Sequence, residues 1–366
     1  MTSAVDTSSE PLPPLYDRWI RSLLGGNIPR ESRATCDHCA MLPDSSEATN
    51  SSRHFFQPST KCCTYVPDLA NFLVGGTLSD TDPQAEFGKR SLLKRMAEGI
   101  AITPLGVGQS PLFSLVYNHA EDAFGVARGL RCPHYLESEE KCGVWRQRNA
   151  TCSTWFCKHV RGNTGYQFWR KSLHPLLGEV ERQLAWWCVL RFDLPQDQLR
   201  LLYEQKHQEQ NYSVNNEAID NQVDPKIYAR LWGDWLGREG EFFIRCGEWV
   251  NGLDWSDVSQ ICGSQVRALA QLTVNAYKEL TSDEVPAKLQ IGAMELVQIS
   301  RDCARVSTYS RYDPIDMPYY IIELLSYFEA NSTEEALQQI EAEKGIRLDQ
   351  PLVRKLVDFG LLKRAG

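Results

Sequence analysis

Two groups of cysteines constrain this chain more than any other feature. Of its 366 residues, 12 are cysteine, and eight of these fall between positions 36 and 157. The first group is Cys36-Asp37-His38-Cys39, followed after 22 intervening residues by the adjacent pair Cys62-Cys63. The second is Cys132, Cys142, Cys152 and Cys157, separated by nine, nine and four residues. Thiolates are the preferred ligands of zinc and of iron–sulfur clusters, and a closed site usually takes four. Two groups of four therefore set an upper bound of two sites. Cys188, Cys246, Cys262 and Cys303 are scattered singly in apolar or helical contexts and read as small core residues.

The length allows two or three domains, each burying its own core. A net charge of -8 argues against nucleic-acid binding driven by general electrostatics. One local basic stretch, from Lys141 through Arg146, Arg148, Lys158, Arg161 and Arg170 to Lys171, coincides with the second cysteine group. The N-terminus has neither the basic nor the apolar region of a secretory signal. No run approaches the ~20 apolar residues that span a bilayer. The expectation is a cytoplasmic protein with no membrane contact, where thiols stay reduced and clustered cysteines mean metal or redox chemistry.

The pattern along the chain predicts a mainly α protein with a small irregular α+β cysteine-rich metal-binding domain and a winged-helix-like α+β segment at the C-terminus. Residues 1–15 read as a flexible N-terminus, 16–165 as the cysteine-rich domain, 166–290 as helical and 291–366 as winged-helix-like. Short helices are expected around 68–76 and 83–99. Leu173, Leu177, Val180, Leu184 and Trp187 recur at three- and four-residue steps and predict an amphipathic helix. Asp224-Pro225 supplies an N-cap and a proline at the first helical position, opening a helix expected to reach about Val250. Another helix is expected from Asp254 or Ser256 to about Leu280. Alternation over 293–310 predicts a short hairpin. Three helices should follow: one at 317–329, one opened by a Ser332-Thr333-Glu334-Glu335 capping box, and one opened by Asp349-Gln350-Pro351.

The stretch from Cys132 to Gly162 resembles the YkgJ-type cysteine-cluster family, described as zinc- or iron-chelating. The resemblance rests on Cys142, Val144, Trp145, Arg148 and Cys152, with Cys132 upstream. Cys36, Cys39, Cys62 and Cys63 resemble the family's C-x2-C and CC halves, across a longer gap. Flagellin lysine N-methylases carry a related cluster. The resemblance implies that Cys36, Cys39, Cys62, Cys63, Cys132, Cys142, Cys152 and Cys157 are metal ligands. His38, His134 and His159 each lie within two residues of a cysteine and are candidates for ligation or for supporting hydrogen bonds. Arg146, Arg148, Lys158 and Arg161 are expected to offset the negative charge of a thiolate cluster, Arg148 foremost. The C-terminal segment more weakly resembles PqqD-type winged-helix modules, which implies a protein or peptide partner there.

No Gly-x-Ser-x-Gly, Walker or His-Glu-x-x-His motif is present, and no acid–base pair stands out. Whether the chain is an enzyme therefore stays open, and any catalysis would fall to the metal centre. Irregular spacings and abundant aromatics favour an iron–sulfur cluster, four-iron four-sulfur, over zinc, because only one close C-x2-C knuckle is present. The function expected first is redox chemistry or protein and peptide modification at such a cluster. The alternatives are a zinc-stabilised scaffold that binds a protein or peptide, and iron or zinc handling or sensing.

Overall fold

A computed structural model describes residues 12–33, 39–42, 55–120, 122–208 and 223–365. The chain is mainly helical, with small antiparallel sheets. It divides into two compact units. The first comprises 1–28, 55–154 and 174–269; the second comprises 29–54, 155–173 and 270–366. These units cut across the boundaries read from the sequence. Residues 29–54 and 155–165, expected within one cysteine-rich domain, belong with the C-terminal segment.

In the first unit, α1 (Pro14–Leu24) buries Leu15, Tyr16, Trp19 and Ile20, a stripe at helical spacing, and ends at Gly25 in the left-handed conformation. Trp19 Nε1 donates to the Leu253 carbonyl at 2.9 Å. The helix α2 (Asn71–Ser79) is apolar nearly all round and buries Asn71, Phe72, Leu73, Val74, Gly75 and Thr77. It packs against the helix Glu239–Asn251 at very close range. A Cβ on Gly75 would stand 1.8 Å from the Phe243 carbonyl oxygen, and one on Gly247 would stand 2.8 Å from the Gly76 nitrogen. Asn71 is satisfied within this core: its Nδ2 donates to the carbonyls of Pro104 (3.0 Å) and Ala185 (2.9 Å).

The helix α3 (Glu86–Glu98) ends at Gly99, again left-handed. A small sheet of β1 (Leu69–Ala70), β2 (Ile102–Thr103) and β3 (Gly106–Val107) runs in the order β1-β3-β2. The strands β4 (Tyr135–Leu136) and β5 (Lys141–Cys142) form an antiparallel hairpin with Tyr135 opposite Cys142. The helix α4 (Pro111–His119) buries no residue; α5 (Ala150–Thr154) is short. The single helix expected from Asp224 to about Val250 is two, Pro225–Trp232 and Glu239–Asn251. Gly233 (φ 50°, ψ -124°) and Gly237 (φ 80°) take conformations closed to most side chains and break the run. The helical segment Trp255–Thr281 is likewise interrupted at Gly263.

In the second unit, β7 (Glu295–Gln298), β8 (Cys303–Ser307) and β9 (Ile315–Pro318) form an antiparallel sheet in chain order. The hairpin expected over 293–310 is its first half. The strand β6 (Leu289–Ile291) pairs with β10 (Leu362–Arg364). Helices follow at Tyr319–Leu324, Tyr327–Ala330, Thr333–Lys344 and Gln350–Asp358. The Ser332–Glu335 capping box forms as expected, and Asp349 caps the last helix through the Leu352 amide at 2.9 Å. Leu289, Val306, Leu324, Phe328, Ile340, Val353 and Leu362 are among the residues of this unit's core.

Candidate metal centre

Five of the eight cysteines meet in the first unit. Cys62 and Cys63 sit in a turn that Lys61 enters with φ 48°. This turn is tied down by Gly125: Thr60 Oγ1 donates to the Gly125 carbonyl (2.9 Å), and the Gly125 amide donates to Thr64 Oγ1 (2.8 Å). Two contacts join it to the second cysteine group. The Cys132 amide donates to the Cys63 carbonyl at 2.8 Å, and Lys61 pairs with Glu140 at 2.9 Å. Cys142 then arrives on β5, held by the β4–β5 register and by a 2.8 Å bond from the Gly143 amide to the His134 carbonyl. Cys152 lies on α5, where Asn149 Oδ1 accepts from its amide at 3.0 Å and so starts the helix.

Cys132 is buried, Cys62, Cys63 and Cys142 are half-buried, and Cys152 reaches the surface. The thiols feel one another. Burial first, then the Cys142 sulfur, pushes the Cys132 thiol up to about 12. Burial raises Cys142; although Cys152 reaches the surface as a residue, burial of its sulfur, followed by Cys142, Cys132 and Cys62, raises its thiol well above the usual range. Within the adjacent pair, the hydrogen bond between the two sulfurs lowers Cys62 and, with burial, raises Cys63. Among the described residues, no three His, Cys, Asp or Glu side chains are placed to hold a metal ion between them. The five thiols are gathered but not closed.

Two guanidinium groups face these sulfurs. Arg148 is 4% exposed and stacks 3.8 Å over the Trp145 ring while donating to the Trp145 carbonyl at 2.7 Å. Its charge favours the thiolates of Cys142 and Cys152. Arg95, 9% exposed on the inner face of α3, donates through Nη2 to the Gly108 carbonyl, and its buried Nη1 has no hydrogen-bond partner. Arg95 also favours the Cys132 thiolate. The sequence reading missed it, although the signal existed: Gly88, Leu92 and Arg95 share one buried helical face, a cation on an apolar stripe. Of the other cations expected here, Arg146 pairs with Asp82 (2.9 Å) and Asp80 (3.4 Å), and Arg161 pairs with Asp358 (2.8 Å) in the second unit. Both are committed to carboxylates.

His134 is fully buried, and its Nδ1 stands 2.7 Å from Ser91 Oγ. That hydroxyl donates its one proton to the Gly88 carbonyl at 2.8 Å, so His134 Nδ1 is the donor and Nε2 carries the lone pair. Burial, aided by Arg95, holds the imidazole down to about 3, and the side chain is neutral.

The remaining candidates fall elsewhere. Cys39 is half-buried and Cys157 buried, both in the second unit. His159 belongs there too, while Cys36 and His38 lie outside the described residues. Compared with models of known protein families, with curated proteins and with solved structures, the chain has no match. Fold and site together define a mainly helical protein with five cysteines gathered in its first unit.

Proposed function

We propose that the first unit binds a thiolate-ligated metal centre, an iron–sulfur cluster, and that this centre carries the protein's redox or peptide-modifying chemistry. Its ligands are drawn from Cys132, Cys142, Cys152 and one member of the Cys62–Cys63 pair, since adjacent residues do not readily turn both sulfurs to one centre. The observation that carries this reading is the gathering of five thiols beside Arg95, whose buried Nη1 has no hydrogen-bond partner. A buried N–H without an acceptor is costly. Thiolates formed on metal binding would stand beside that guanidinium, and Arg95 and Arg148 would in turn tune the potential. When bound, such a cluster supplies one-electron chemistry; neutral His134 adds no charge of its own.

Metal analysis and visible spectroscopy of the anaerobically purified protein test this. The expected result is stoichiometric iron and sulfide, with a broad visible band that bleaches on reduction by dithionite. Cys142→Ser and Cys152→Ser should each lose the iron, whereas Cys262→Ser, altering a core thiol, should keep it. Full iron retention in both of the first two variants would overturn the assignment.

The second reading is a zinc-stabilised scaffold that docks a peptide. Strand β7 favours it, because it is the edge of its sheet and all four of its residues are exposed. Edges of this kind accept an added strand. This reading takes 291–366 as winged-helix-like. Zinc in place of iron, lost on Cys142→Ser, would support it. Metal that weak chelators remove readily would point instead to iron or zinc handling. No helix among the described residues is long and apolar enough to cross a membrane. A cytoplasmic setting is part of the proposal, since it keeps these thiols reduced.

A further inference from the structure

The second unit contains a cavity of about 300 Å³ that no cysteine borders. That volume is at the lower end for small-molecule sites. One wall is the start of a helix. Arg161 is held by Asp358 at 2.8 Å, and Gly162 (φ 47°) brings the chain against the last C-terminal helix. A Cβ on Gly162 would stand 2.9 Å from the Asp358 carbonyl oxygen, so only glycine suits that turn. The chain then presents Asn163 and Thr164 to the cavity, and Gln167 opens the π-helical stretch Gln167–Leu173. Stretches of this kind recur at functional sites. Gln167 Nε2 donates to Asn163 Oδ1 at 3.1 Å, and the Asn163 Nδ2 hydrogens remain for another acceptor. Thr164 is 9% exposed, and its hydroxyl has no hydrogen-bond partner among the described residues.

A second wall is β10. The Leu361 carbonyl accepts from the Gly292 amide at 2.8 Å and the Ala365 amide donates to the Lys288 carbonyl at 3.1 Å, so alternate residues bond toward β6. Leu362 and Arg364 therefore turn their backbone N–H and C=O the other way, along an edge with no further strand. Leu362, Lys363 and Arg364 all line the cavity and no residue of β6 does, which places it on that free edge. Neither Lys363 nor Arg364 pairs with a carboxylate among the described residues. The one carboxylate in the wall, Glu279, stands 3.4 Å from the Arg354 guanidinium, which already opposes its charge. Pro286, Val357 and Leu362 make the apolar part.

We infer that this cavity binds a small phosphate monoester, its phosphate held by Lys363, Arg364, Thr164 and Asn163 and its organic group against Pro286, Val357 and Leu362. Two cations without counter-charges match the nearly double negative charge of a monoester at neutral pH. The peripheral phosphate oxygens use ammonium, guanidinium, hydroxyl and amide donors together, and the outward N–H of Arg364 adds another. A carboxylate, planar and singly charged, would leave donors unused. The inference uses no residue of the first unit and stands apart from the metal centre proposed there.

The test titrates the full chain with phenyl phosphate, inorganic phosphate and benzoate, following backbone amide signals by NMR. Phenyl phosphate should bind one to one and shift the signals of 163–167 and 362–364. Inorganic phosphate, without the apolar contact, and benzoate, without the second charge, should both bind more weakly. Lys363→Met and Arg364→Met, at exposed strand positions, should each weaken phenyl phosphate about tenfold, the worth of one charge-assisted hydrogen bond. Thr164→Val should weaken it by less. Lys344→Met removes an exposed cation elsewhere in the unit and should change nothing. Wild type that binds no phenyl phosphate, or benzoate bound as tightly, would overturn the inference. So would an equal loss in Lys344→Met, or unchanged affinity in a double Lys363→Met, Arg364→Met variant whose circular dichroism matches wild type.

Discussion

Residue chemistry accounts for much of what is unusual here, and Glu181 shows how. Its carboxyl is buried, accepting from the Tyr16 hydroxyl and from the Ala150 amide at 2.5 Å. Burial outweighs both hydrogen bonds and pushes it from 4.5 up to about 8. Between these values the folded state keeps a proton that the unfolded state has lost. Stability from this group is therefore full below pH 4.5 and is lost as the pH rises to about 8. At about 1.4 kcal/mol per pKa unit, the loss is large beside a typical folding free energy. Urea midpoints measured across that range should fall with pH in the wild type. Glu181→Gln, uncharged throughout, should flatten the decline, and an unchanged slope would show that Glu181 does not drive it. None of this was legible in the sequence, where Glu181 is one polar position among several on a periodic helix. Its burial arises because α1, distant in sequence, brings Tyr16 to it.

Among the elements, close approach decides which residues are permitted. The crossing of α2 with Glu239–Asn251 places backbone against backbone at Gly75 and Gly247. Gly75→Ala adds a methyl group 1.8 Å from the Phe243 carbonyl oxygen, and the two helices must separate to admit it. We expect a destabilisation of about 1–3 kcal/mol, read as a lower urea midpoint at unchanged slope. Gly178→Ala, whose added Cβ meets nothing within 4 Å, is the control and should be neutral or slightly stabilising. Periodicity, caps and the capping box located most helices, because these are local signals. The break at Gly233 was equally local, yet the Asp224 start and the apolar repeat beyond it masked a glycine whose conformation only the fold reveals. The strand β10 was missed altogether: three residues with two cations carry no β signal, and pairing with β6 alone makes them a strand.

At the scale of the molecule, two compact units share one interleaved chain, and unfolding need not be a single transition. If the first unit depends on the proposed metal centre while the C-terminal core stands on burial, treatment with a strong chelator should affect them unequally. Hydrogen exchange of chelated protein should quicken most at 57–64 and 130–154. It should change least in the helices Thr333–Lys344 and Gln350–Asp358, and uniform quickening would refute that division. The sequence by itself determined the mainly helical class and the capped C-terminal helices. Each is written in composition or in spacing over a few positions. Only the tertiary structure decided that five thiols share one neighbourhood while Cys39, Cys157 and His159 belong to the other unit. It alone placed Arg95 beside Cys132. The physical reason is that the chemistry of a cysteine cluster depends on through-space distance and burial, and a chain that crosses five times between units does not encode either in the order of its cysteines.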